Sequence, residues 1–452
     1  MKNLRFLALL LALAMVIGLA PAVLAEGGDI TISYWSHQRH DREFIESKVE
    51  EFNALDNGIT IDFQVYTDNF GDVLSIAIQS GQAPDIFTAL PTGMTIVDGA
   101  RAGIIMPIDD LVSEEMLEKN KAYFVDTINM ADGKLYSLPH VGHNFRLAVN
   151  LDAFEAAGVD PDAIKSYADL TAAAKTITEW GATQEPKVYG FMLPTGEWNW
   201  IWDNMYYTAL SRYNGEWYYD YKTGTVDFSS IRPIMEMYLQ MKEDGSLFPG
   251  GVEMINDPAR QQFSEGTVGM IVAASWDVGV FNDQFPATIN WKCVDLPTID
   301  GEIHGKGSFN GGSWLMLSST TAHPKEAMTW FEFLVNDDAL EGYYSGGFGL
   351  PIRPEIAENA KVQPEKTGFA DFANTGIDAI YPPTFPYPAP EPNYGNYLNQ
   401  IMLGDITIDQ AIETLNMLYG AAIEEEIADG GDTAPYIYPN FDFTDPVGSA
   451  VK

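Results

Sequence analysis

Cysteine is almost missing from this chain: Cys293 is the only one in 452 residues. A single thiol rules out an internal disulfide, so the fold relies on burial alone. A chain of this length can bury a large core without covalent staples. Flanked by Trp291, Lys292 and Val294, Cys293 reads as a free buried thiol. Positive charge is scarce too, with 25 Lys and Arg against 64 Asp and Glu, a formal charge of −39. Such a field repels nucleic acid and anionic headgroups, which argues against both as partners. Histidines number six and form no His-rich loop. There is no Gly-x-Ser-x-Gly elbow, phosphate loop, His-Glu-x-x-His or cysteine-based metal set, so no cofactor, metal or catalytic group is expected. Paired carboxylates for glycoside hydrolysis stay open, because 64 acids supply such pairs by chance. His37 with His40 and His140 with His143 leave an exported metal-binding protein as a further alternative.

Long apolar runs are confined to the start of the chain. Lys2 and Arg5 precede an apolar run from Phe6 to Leu19, followed by Pro21 and Ala22-Val23-Leu24-Ala25. Residues 1–25 thus have the three parts of a cleavable secretory signal, and the run is shorter than the ~20 residues of a membrane-spanning helix. Cleavage after Ala25 leaves Glu26 first, with no thiol to receive a lipid, and the loss of Lys2 and Arg5 makes the mature chain still more acidic. The expectation is a soluble periplasmic or extracellular protein. With 46% hydrophobic and 12% aromatic residues it is globular despite its charge.

The patterning is α/β. Ile30 to Trp35 alternates as a strand, then Phe44, Ile45, Val49 and Phe52 share a helical face. A second strand over Ile59 to Tyr66 precedes a helix from Asp72 to Ser80, closed by Gly81, and Pro84-Asp85-Ile86-Phe87 starts a third. This βαβαβ order predicts a parallel sheet with ligands beyond its carboxyl ends. Ser166 caps a helix bearing Leu170, Ala174 and Ile177, Val268 to Ala273 is an apolar strand, and a strand over Ser313 to Leu317 leads to a helix with Pro324 at its first position.

The local signatures in this order resemble the family-1 extracellular solute-binding proteins of ABC importers, the group that includes maltose-binding protein. The resemblance runs from about residue 29 to residue 354. It is carried by Ile32-Ser33-Tyr34-Trp35, Ser80-Gly81-Gln82-Ala83-Pro84-Asp85-Ile86-Phe87, Ala102-Gly103-Ile104-Ile105-Met106-Pro107-Ile108-Asp109-Asp110, Asp132-Gly133-Lys134-Leu135-Tyr136-Ser137-Leu138-Pro139, Asn150-Leu151-Asp152-Ala153-Phe154 with Gly158, Phe263-Ser264-Glu265-Gly266 and Ser275-Trp276. It implies a two-lobed periplasmic-binding-protein type II fold with crossing hinge strands, closing on a solute and docking on the transmembrane subunits of an ABC permease. The expected division is 26–147 in lobe 1, 148–310 in lobe 2, 311–345 returning to lobe 1, and 346–452 in lobe 2 and a C-terminal segment. A monomer is expected.

Sugars present apolar faces and a ring of hydroxyls, so a cleft for a sugar or oligosaccharide needs flat rings beside carboxylates and amides. Three stretches combine them: Trp35 with His37 in the first strand-to-helix loop, Glu197-Trp198-Asn199-Trp200-Ile201-Trp202, and Trp276 with Asp277 after an apolar strand. By the resemblance, His143 and Asn144 lie near the first crossing, Gly312 and Trp314 at the second, and Arg353 near the third, where it serves the cleft or caps a helix. Asp85 ends a motif that lines the cleft or supports its wall. The ligand candidates are therefore Trp35, His37, Asp85, His143, Asn144, Glu197, Trp198, Trp200, Trp276, Asp277, Gly312, Trp314 and Arg353.

Overall fold

The computed structural model describes residues 30–66, 69–92, 94–125, 128–196, 217–313, 315–373 and 375–450. The leader and the candidates Glu197, Trp198, Trp200 and Trp314 lie outside the described residues.

Alternation along Ile30–Ser36 buries Ile32, Tyr34 and Ser36. This strand pairs in parallel with Ile59–Val65 and with Ile86–Phe87, as the βαβαβ pattern predicts. A fourth strand, Met316–Leu317, arrives from far along the chain and lies antiparallel to Ile86–Phe87. The helices Arg42–Asn53 and Pro324–Val335 cover this sheet. Trp330 is fully buried between them, its ring 5.1 Å from Phe52 and 6.1 Å from Tyr34. Asp85 locks the same layer: it accepts from the Ser33 amide at 2.8 Å, the Ser33 hydroxyl at 2.7 Å and the Thr321 hydroxyl at 2.5 Å.

The second sheet runs Trp291–Val294, Phe145–Asn150, Val268–Ala274, Tyr189–Met192. Phe145–Asn150 and Val268–Ala274 are buried along their whole length, as central strands covered on both faces must be. The helix Tyr167–Gly181 packs on this sheet. It starts with a capping box in which Ser166 Oγ accepts from the Asp169 amide and Asp169 accepts from the Ser166 amide. Phe145 and Leu147 belong to this second core, so the first crossing ends a few residues before the expected boundary at 147.

Between the lobes lies a three-stranded sheet with Pro139–His143 in the centre, flanked antiparallel by Asn310–Ser313 and Leu350–Pro351. The strand expected over Ser313 to Leu317 is thus two strands, one in the crossing and one in lobe 1. The register shifts between Gly311 and Ser313, so Gly312 sits at a bulge in the second crossing. Gly142 is required by packing, since a Cβ there would come within 2.3 Å of the Phe309 ring and 2.9 Å of the Asn310 carbonyl.

Immediately after the first crossing the chain buries a charge. The Arg146 side chain is 1% exposed and donates through Nη2 to Asp378 Oδ2 at 2.6 Å, while the Asp378 side chain is fully buried. Asn144 Nδ2 donates to the same carboxylate oxygen and to the Phe372 carbonyl, each at 2.9 Å. These bonds pin Phe372 and Asp378 to the root of lobe 2. Removing one partner of a buried, hydrogen-bonded pair strands the other charge. Asp378→Ala should therefore cost about 3–5 kcal/mol in urea-induced unfolding. A loss below about 1 kcal/mol, within the range of an exposed pair, would mean that the guanidinium finds other compensation, for example Asp295 at 3.5 Å.

Candidate functional site between the lobes

Three strand ends and a crossing strand converge on one cavity of about 490 Å³. The loop after Ile30–Ser36 contributes His37, Gln38, Arg39 and His40, and the end of Ile86–Phe87 contributes Thr88. From lobe 2, Val268–Ala274 leads into Ser275 and Trp276, and the helix Asn256–Ser264 presents Arg260. His143 rises from the crossing, and Tyr343, Phe348 and Gly349 come from the segment before the third crossing. Strand ends put these side chains together because a parallel sheet opens its crevice at the carboxyl edge.

Trp276 is half-buried and meets the His143 ring edge-on at 4.6 Å, with Phe145 behind it at 5.8 Å. His37 stands at the exposed edge, its Nδ1 2.8 Å from the Thr88 hydroxyl, which also accepts from the His37 amide at 3.1 Å. Below the cavity, Tyr343 donates its hydroxyl to Asp41 at 3.1 Å and lies 3.1 Å from His40 Nε2. Burial lowers the pKa of His143 to about 4 and also lowers that of His40, so both are neutral at pH 7 and offer a donor and an acceptor each.

Of the described candidates, His37, His143 and Trp276 line the cavity together. Trp35 does not: its ring packs 4.6 Å from Tyr66 in the apolar cluster of lobe 1. Asp85 is spent on Ser33 and Thr321, and Asn144 on Asp378 and Phe372, so both hold the frame. Arg353 is buried and pairs with Asp337 at 2.5 Å, away from the cavity. Asp277 is 1% exposed, and its carboxylate receives the Arg260 guanidinium at 2.7 Å and the Ala274 amide at 2.8 Å, which makes it a support for Arg260. Gly312 lies in the crossing sheet rather than on the cavity wall.

The sequence reading missed Gln38, Arg39, His40, Thr88, Arg260, Gln284 and Tyr343. The first three and Thr88 were within reach, since the strand-end rule that selected His37 applies equally to the residues after it and after Phe87. Arg260 and Gln284 carry no local mark. Among the described residues no group of three or more His, Cys, Asp or Glu side chains is arranged to hold a metal ion.

Two α/β lobes joined by three crossing strands, with a polar and aromatic cavity between them, define a hinged solute-binding fold. The chain belongs to the bacterial extracellular solute-binding protein family, whose model matches residues 35–341. It is 26% identical over 386 residues to the arabinooligosaccharide-binding protein of Bacillus subtilis, covering 82% of this chain and 84% of that one. It is 26% identical over 350 residues to the sn-glycerol-3-phosphate-binding periplasmic protein of Agrobacterium fabrum, covering 73% and 75%. In structure it is similar to an ABC substrate-binding protein of Listeria monocytogenes in complex with cycloalternan, with a TM-score of 0.64 at 16% identity over 89% of this chain and all of that one. The fold is the type II periplasmic-binding architecture that the sequence resemblance implied.

The titration of His140 gives a direct check on the crossing. It is 4% exposed on the central hinge strand, hydrogen-bonded to the Leu334 backbone, and burial lowers its pKa to about 3. With an unfolded value near 6.5, the unfolded chain takes up the proton first. This residue's contribution is therefore complete above about pH 6.5 and declines as pH falls toward 3, by about 1.4 kcal/mol per unit. Asp41, whose pKa is raised by burial, acts in the opposite direction, so the comparison must be with a variant. His140→Gln should flatten the fall in stability between pH 6.5 and 4 relative to the parent; parallel curves would show that His140 does not titrate with folding.

Proposed function

We propose that this protein is the exported binding component of an ABC importer, that it captures a sugar or oligosaccharide between its lobes, and that it delivers it to the transmembrane subunits of the permease. The observation that carries this reading is the cavity itself. Its volume falls within the ~300–1,000 Å³ range of small-molecule sites, and it sets the Trp276 and His143 rings beside amide, hydroxyl and neutral imidazole groups. Such a lining matches a ligand with apolar ring faces and many hydroxyls. The relatives with named saccharide ligands support the same reading.

The proposal includes cleavage of the leader near Ala25, leaving Glu26 first without a lipid-accepting cysteine, and a freely diffusing monomer. Among the described residues no helix is long and apolar enough to cross a membrane. Osmotic shock should release the protein in soluble form; recovery mainly in a detergent-extracted membrane fraction would count against this part.

A thermal-shift panel of mono- and oligosaccharides tests the ligand class. A ligand at 100 times its dissociation constant adds about 2.7 kcal/mol to stability. Shifts with peptides or polyamines and none with any sugar would overturn the reading. Trp276→Ala should weaken the sugar identified in this way at least ten-fold, measured by calorimetry, while Cys293→Ser leaves affinity unchanged because that thiol is buried in the lobe 2 core.

A further inference from the structure

The charge of the cavity wall runs against that of the chain. Asp and Glu outnumber Lys and Arg by 64 to 25 overall, yet among the described residues that line the cavity there is no carboxylate and there are two arginines, Arg39 and Arg260. The matching carboxylates stand behind them. Asp277 is buried and holds Arg260 at 2.7 Å, and Asp257 holds Arg260 at 3.2 Å while also pairing with Arg39 across the gap between the lobes. Each pair therefore turns its positive end toward the cavity. The rest of the polar lining can donate as well as accept: the amides of Gln38 and Gln284, the hydroxyls of Thr88 and Ser275, and the neutral imidazoles. A neutral sugar wants strong acceptors for its hydroxyl protons, and carboxylates are the usual ones. An oxyanion wants what this wall provides, N–H and O–H donors around a guanidinium.

We propose that the bound carbohydrate carries an anionic group, a carboxylate or a phosphate, which docks on Arg39 at the mouth of the cavity. This rests on the saccharide reading above. Arg39 is the guanidinium able to exchange partners. Its side chain is 35% exposed and shares Asp257 with Arg260, so a ligand oxyanion can take over the role of Asp257 without leaving a buried charge unpaired. Arg260, anchored on both Asp257 and Asp277, stays in place.

Matched ligand pairs test the proposal by calorimetry at low ionic strength: trigalacturonate against its methyl ester, and glucose 6-phosphate against glucose. The expected result is that the charged member of at least one pair binds ten-fold or more tightly, with the advantage shrinking as salt is raised; which pair responds tells carboxylate from phosphate. Arg39→Gln should abolish the advantage. Asp257→Asn, which removes the competing carboxylate, should increase it, a gain that mere structural damage would not produce. If charged members bind no better than their neutral counterparts while neutral sugars bind, the inference falls and the saccharide reading stands. If no member of either pair and no neutral oligosaccharide binds, both fall. An advantage that survives Arg39→Gln would overturn the docking position.

Discussion

Everything in this molecule hangs on the passage of the chain between lobes through three short strands, and that passage depends on one buried ion pair. Three strands of two to five residues supply too few hydrogen bonds to fix the orientation of two large bodies. Arg146 and Asp378 add a charge-assisted bond at the point where the first crossing enters lobe 2, and Asn144 shares the same carboxylate. A buried pair of this kind gains little net stability over an apolar equivalent, but it tolerates only one arrangement of its partners. Its contribution is to registration: it ties Phe372 and Asp378 to the root of the first crossing.

From that anchor the site follows. Pro139–His143 carries His143 out of the crossing sheet into the cavity and His140 into the interior, one strand serving both frame and site through its two faces. Lobe 1 offers the loop after its first strand and lobe 2 the loop after Val268–Ala274, so neither lobe alone holds the whole lining. The rings that a solute would meet are braced from behind. Phe145 backs Trp276, and the Asp41–Tyr343–His40 network underlies the floor. Such support fixes the first layer of contacts before a ligand arrives.

How far the sequence foretold this varies with the range of each interaction. The opening βαβαβ run was legible because alternation and helical spacing are local signals, and the capping box of Ser166 and Asp169 and the start at Pro324 are equally local. The crossing strands were placed only through the family resemblance, since Leu350–Pro351 is too short to leave a periodic trace. Among candidate ligands, His37, His143 and Trp276 came to one cavity because strand ends and the first crossing have fixed positions in this architecture. Asp85, Asn144, Asp277 and Arg353 were polar residues in the right neighbourhood whose partners lie elsewhere in the chain: Thr321 for Asp85, Asp378 for Asn144, Arg260 for Asp277. Pairings across 236 and 234 residues leave no mark on local pattern. Trp35 illustrates a subtler miss. Its ring lies 4.6 Å from Tyr66 in the apolar cluster of lobe 1, and the cavity begins only past the end of the strand, at His37.

The contact of Arg39 with Asp257 joins the two lobes at the mouth, which at first sight makes it a latch. Both side chains are about one-third exposed, however, and exposed pairs of this kind are worth about 0–1 kcal/mol. That shifts an open-to-closed balance by at most about five-fold. The free energy that holds the jaws together must therefore come chiefly from what lies between them, since only a ligand that touches both lobes favours the closed arrangement over the open one. A weak latch is the appropriate strength for a receptor that has to release its cargo: a strong one would close the lobes over an empty cavity and present that state to the permease.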